Sequence, residues 1–135
     1  MPPSDDDFGF AEEKAGQNLA VLAEALYLIN LLLLPGLAFA GLLALWLKNK
    51  DSAPPLARQH LRQTTFVSLV GGFLIVTLSG LILALGGLDW AWTWVVLVLY
   101  FTCIHSTLVL FGMYGLIKAM AGQVWRFPLI GPRLE

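Results

Sequence analysis

The chain has a single cysteine, Cys103, among its 135 residues. One thiol excludes an intramolecular disulfide and is too few for a structural zinc or iron–sulfur site. There are only two histidines, His60 and His105, and charged residues make up 13% of the chain against roughly a quarter in an ordinary soluble domain. The sequence contains no phosphate-cradling glycine loop, no metalloprotease motif and no nucleic-acid-binding module. Its opening, MPPSDDDFGFAEEKAGQN, is acidic, where a secretory signal would begin with basic residues.

What the chain has in excess is apolar surface. Hydrophobic residues reach 58%, against about 45–50% in soluble domains. A domain of this size could not bury so much, so lipid is the expected solvent and the fold class is an all-α integral membrane protein. Three apolar runs stand out, at about 19–47, 65–86 and 93–120. A helical crossing of the bilayer takes about 20 apolar residues. The second and third runs fit one crossing each.

The first run is long for one crossing, yet halved it gives only about 21 Å per helix, short of the roughly 30 Å hydrocarbon core. The expectation is therefore a single tilted helix kinked at Pro35–Gly36, making three transmembrane helices in all. A re-entrant hairpin turning at Pro35 is the alternative. On this division residues 1–18 form an acidic N-terminal tail, 19–122 the transmembrane domain and 123–135 an interfacial C-terminal tail. Pro54–Pro55 can open a helix, so a basic cytoplasmic helix should lead into the second span.

Cationic residues set the orientation. Lys48, Lys50, Arg58 and Arg62 follow the first run, and Lys118, Arg126 and Arg133 follow the third, while the connector GGLDWAW carries no cation. This predicts a multi-pass protein of the bacterial inner membrane with its N-terminus outside and its C-terminus cytoplasmic. The hairpin alternative would move the acidic tail inside and leave the rest in place. Trp90, Trp92 and Trp94 on one side, and Trp125 and Phe127 on the other, are the expected interfacial anchors. Arg58, His60, Arg62 and Arg126 are the expected headgroup or partner contacts.

Small residues at helical spacing mark faces where membrane helices approach closely. The rows are Gly36, Ala40 and Ala44 in the first run, Ser68, Gly72 and Gly80 in the second, and Gly112, Gly115 and Ala119 in the third. His105 lies seven residues before Gly112, which places it on the same face, near mid-membrane. Glu24, Tyr27 and Asn30 form a polar row in the first run, and polar residues at such depth are functional candidates.

These residues do not assemble into a catalytic or metal site. His60 and His105 should stand roughly 20 Å apart by helix rise, too far to share one haem. Cys103 and His105, two positions apart, point to different sides of one helix. The reading is thus non-enzymatic, with no catalytic residue, metal or cofactor, and His105 is retained as the one candidate for haem or quinone binding or a proton relay. The leading expectation is an accessory or scaffolding subunit that packs against other membrane protein subunits in the lipid bilayer. The same faces would serve a homo-oligomer, and no nucleic acid is implied. The alternatives are a translocation or insertion component, an electron-transfer subunit, and a small homo-oligomeric transporter.

Two stretches carry a family resemblance. RQHLRQTTF, residues 58–66, and KAMAGQVWRFPL, residues 118–129, together with the central Pro35–Gly36, resemble a family of small bacterial membrane proteins of unknown function. That family is similar to the Tic-twenty component of the chloroplast inner-envelope translocon. The matching positions are His60, Gln63, Phe66, Gly122, Arg126, Phe127 and Pro128. The resemblance implies a shared helical fold and, through the translocon component, a part in moving or inserting proteins. The acidic N-terminal residues and His105 lie outside the shared pattern.

Overall fold

The computed structural model describes residue 2 and residues 5–132, the side chains of 5–12 excepted. The expected roles of Asp5, Asp6, Asp7, Glu12 and Arg133 therefore lie outside the described side chains. Four helices follow one another: α1 (Asp5–Leu32), α2 (Leu37–Asn49), α3 (Pro55–Gly86) and α4 (Ala91–Met120). Three segments are long and apolar enough to cross a membrane, namely Glu13–Leu32 within α1, and all of α3 and α4. Residues 5–18, expected as a tail, belong to α1.

The chain reverses direction at Pro35–Gly36, which corrects the expected kinked span over 19–47. A Cβ placed on Gly16 would stand 3.1 Å from the Pro54 ring. One continuous helix between those positions would hold them more than about 45 Å apart at 1.5 Å per residue. The local chemistry of the reversal is legible. Pro35 has no N–H and cannot extend α1 past Leu34. Gly36 adopts φ +83°, a left-handed conformation open to a residue without Cβ. Its N–H donates to the Asn30 side-chain oxygen at 2.8 Å, while the N–H groups of Leu33 and Leu34 both reach the Ile29 carbonyl at 2.9 Å. Asn30, a functional candidate by its place in the polar row, thus closes the turn of its own segment.

Because α1 and α2 form a hairpin, the start of α1, the end of α2 and the start of α3 gather at one end with the end of α4. There the Gln17 side-chain amide donates to the Met120 carbonyl. We call this the basic end, since it gathers Lys48, Lys50 and Arg58. The opposite, tryptophan end holds the short α3–α4 connector, where the Trp94 indole N–H donates to the Leu88 carbonyl at 2.8 Å. α3 starts on Pro55, whose fixed φ suits a first helical turn, and runs unbroken past Arg58 and Arg62 into its apolar stretch.

The hairpin is shorter than the pair it packs on. α3 and α4, with 32 and 30 residues, are about 45–48 Å long. α1 ends level with His105, whose ring donates to the Leu31 carbonyl at 2.9 Å. The core lies in the basic half, where Tyr27, Leu42, Leu61, Val67, Leu108 and Phe127 interlock. Of the three expected small-residue rows, Gly112, Gly115 and Ala119 are buried against α1 or its neighbours. Gly36, Ala40 and Ala44 are exposed; α2 packs through Ala38 and Leu42 instead. Gly72 and Gly80 are also exposed, with nothing within 4 Å of a Cβ built on either, while Ser68 is partly buried. Spacing marks a face a neighbour could approach, and the reversal at Gly36 decides which faces meet one within this chain.

Candidate functional site

The buried face of α1 is set by its sequence. Gly16, Ala20, Ala23, Glu24 and Tyr27 recur at helical spacing, and all are buried. The small residues let α3 and α4 come close, and the two larger polar side chains then enter the contact. Glu24 meets His60, which α3 carries one turn past its proline start, with Oε1 at 2.6 Å from Nδ1. A Cβ on Gly115 of α4 would sit 2.6 Å from the other Glu24 oxygen, so glycine is what lets the carboxyl fit. One helical turn along, Tyr27 rests on Gly112 and its hydroxyl donates to the Leu108 carbonyl at 3.1 Å.

His60 also reaches the C-terminal segment. Its Nε2 lies 2.9 Å from the Gln123 carbonyl. A carbonyl only accepts, so Nε2 carries hydrogen and Nδ1 faces Glu24 across one shared proton. Whether that proton sits on nitrogen or oxygen, the pair has no net charge. The two flanking glutamines act on the same segment. The Gln59 side chain donates to the Trp125 carbonyl, and the Gln63 side-chain oxygen accepts the Phe127 N–H at 2.7 Å. Three α3 side chains thereby grip the backbone of residues 123–127.

Aromatic rings close the arrangement. Phe111 and Tyr114 of α4 pack against Trp125 at centroid distances of 6.1 and 5.0 Å, and Phe127 meets Phe111 at 5.1 Å. Phe127, expected at the interface, is a core residue with 5% exposure. His60, expected as a headgroup or partner contact, has none of its surface exposed, which corrects that reading. Flanked by Arg58, Gln59 and Arg62 it looked like a surface residue, yet its ring points inward to a partner 36 positions away. Gln59, Gln63 and Gln123 were not singled out as site residues. Of the three, the resemblance pattern includes only Gln63, beside His60, Gly122 and Phe127.

The remaining expected residues are scattered. Lys48 and Lys50 are exposed at the basic end, and Arg58 folds back on the Ala53 carbonyl at 3.0 Å. Arg62 is half-buried, and Arg126 is exposed with its Nε on the Gly131 carbonyl at 3.0 Å. Trp90, Trp92 and Trp94 are exposed together at the opposite end. His105 stacks on Phe101 at 5.2 Å and edges an apolar cavity; its partner Leu31 lies seven residues along α1 from Glu24, about 10 Å of helix rise. No cluster of three or more metal-ligating side chains occurs among the described residues.

With three helices long and apolar enough to cross a membrane, the class is that of a small helical membrane protein. The sequence profile of the MamF/MmsF family, the magnetosome magnetite crystal formation protein family, matches residues 15–134. The chain belongs to that family. No curated protein and no solved structure matches it significantly. The matched span runs from the start of the buried α1 face through the gripped C-terminal segment, so it covers every residue of the Glu24–His60 site.

Proposed function

We propose that the chain is a non-catalytic subunit of the magnetosome membrane that serves magnetite crystal formation by holding partner membrane proteins in place. Family membership carries this reading. The interior supports it, because the conspicuous polar side chains are engaged in holding the fold: Glu24 with His60, Tyr27 with Leu108, Asn30 with Gly36 and His105 with Leu31. Partner helices would dock on α2, where Ala40 and Ala44 of its small-residue row stay exposed.

In this reading the basic end faces the cytoplasm. The hairpin supports it, since Lys14 now joins Lys48, Lys50, Arg58, Arg62, Lys118 and Arg126 at one end, leaving Asp89, among the described side chains, alone at the other. The acidic N-terminal residues then lie inside, as the hairpin alternative required. The matching family is the magnetosome one, and the expected likeness to the translocon component finds no support beside it. Native mass spectrometry of the protein extracted from its own membrane in mild detergent tests the proposal. An assembly containing other membrane proteins supports it. Recovery only as the 14.8 kDa chain or simple multiples of it sinks the scaffolding role.

A further inference from the structure

The two halves of the molecule differ in thickness. In the basic half four helices pack together. Beyond Gly71 no residue of α3 is buried, and before Leu108 the only buried residue of α4 is Thr93, which meets Gly86 at the connector. Leu81, Leu85, Val95, Val98 and Leu99 are all exposed. The tryptophan half is therefore a bare pair of helices. The step between the halves is the hairpin turn, where a cavity of about 650 Å³ opens between Asn30, Gly36 and Phe39 below and Gly72, Phe101 and His105 beside it.

That step falls near the middle of a bilayer. His105, level with the end of α1, lies eleven positions from Trp94 and thirteen from Lys118 along α4, about 17 and 20 Å of rise. A hydrocarbon core of about 30 Å centred between those markers puts the hairpin turn close to its midplane. A helix with its side chains is about 10 Å across, so four occupy about twice the area of two. One leaflet must accommodate roughly double the protein cross-section of the other. The cavity lining is mainly apolar, so lipid tails rather than water suit the space above the turn.

We propose that the chain acts as a membrane wedge, widening the leaflet at its basic end and bending the bilayer convex on that side. A flat bilayer must stretch one leaflet or compress the other around such a shape, and bending relieves the mismatch. The ligand is thus the lipid surface itself, recognised by its curvature. The bending rests on the helix geometry alone. That the convex face is the cytoplasmic one rests on the orientation proposed above.

The test uses the purified full chain in giant vesicles of phosphatidylcholine and phosphatidylglycerol from which narrow tubes are drawn outward. In a Cys103→Ser background, Lys48→Cys or Trp92→Cys is labelled from outside with an impermeant dye, marking molecules with the basic or the tryptophan end outward. Molecules marked at Lys48→Cys should be severalfold enriched on the tube over the flat membrane, and those marked at Trp92→Cys depleted. Equal density on tube and vesicle, or enrichment of both orientations, overturns the wedge. A second copy seated in the step would even out the two halves, and would read out as absent sorting together with a dimer mass. Sorting by curvature without capture of any partner would leave the wedge standing and remove the scaffolding role.

Discussion

Glu24 of α1 and His60 of α3, 36 residues apart, close on each other at 2.6 Å inside the bundle, and the far side of the same imidazole holds the Gln123 carbonyl at 2.9 Å. One ring thus ties two helices to the C-terminal segment. Removing one member of a buried pair strands the other, at a cost of about 3–5 kcal/mol, whereas replacing both with apolar residues is often close to neutral. His60→Phe and Glu24→Leu should each sharply lower resistance to unfolding. The double variant should lose less than the sum of the two. Unfolding monitored by circular dichroism in detergent reads the coupling; simple additivity would show that the pair does not act as a unit.

Gly112 and Gly115 of α4 differ sharply from Gly72 and Gly80 of α3 in what they touch. Gly115→Val places methyl groups where the Glu24 carboxyl sits and should cost about 1–3 kcal/mol, as overpacking does. Gly80→Val meets open space and should stay within about 0.5 kcal/mol of the parent. The same unfolding assay compares them, and equal losses at both positions would contradict the packing described.

The reversal at Pro35–Gly36 predicts a cross-link. Gly16→Cys with Pro54→Cys, in a Cys103→Ser background, brings two Cβ atoms near the range in which disulfides form. Mild oxidation should remove two hydrogens by mass and yield a band of altered mobility. A pairing of Gly16→Cys with Trp92→Cys in the same chain should remain reduced. Failure of the first pair while the second forms would restore a continuous first span.

The grip on the C-terminal segment can be loosened separately. Gln63→Ala removes the acceptor of the Phe127 N–H, a loss of about 1 kcal/mol. Amide exchange at Phe127 should speed up severalfold while exchange within α4 stays unchanged. An unaltered rate at Phe127 would mean the glutamine does not hold it.

The helices were legible in the sequence because hydropathy depends on neighbours along the chain. Runs 65–86 and 93–120 correspond to the apolar parts of α3 and α4, and Pro55 marks where α3 begins. The hairpin was harder to read, because a proline–glycine step kinks one helix or reverses it with the same letters. The deciding contact, Gly16 on Pro54, is a tertiary one. The site was hidden for a related reason. His60 sits among arginines and glutamines, a neighbourhood that reads as surface, and nothing near it in sequence announces Glu24. The lone carboxylate in an apolar run was the visible half of the pair. Small-residue spacing was informative on α4 and silent on α3, since the spacing is alike whether or not a helix of the same chain comes to meet it.

The fold also bears on how the protein enters a membrane. Between Glu13 and Pro132, the aspartates, glutamates, lysines and arginines lie toward the basic end, except for Asp89 in the α3–α4 connector. On the membrane placement proposed above, the α1–α2 hairpin dips in and returns to the side it came from, so those residues would require no passage of charge through lipid. On that placement only the tip of the α3–α4 hairpin would travel from one face to the other, taking a single carboxylate with it. For residues 13–132, insertion reduces to delivering two apolar loops from one side, the deeper of them carrying one ionisable side chain of this kind to the far face.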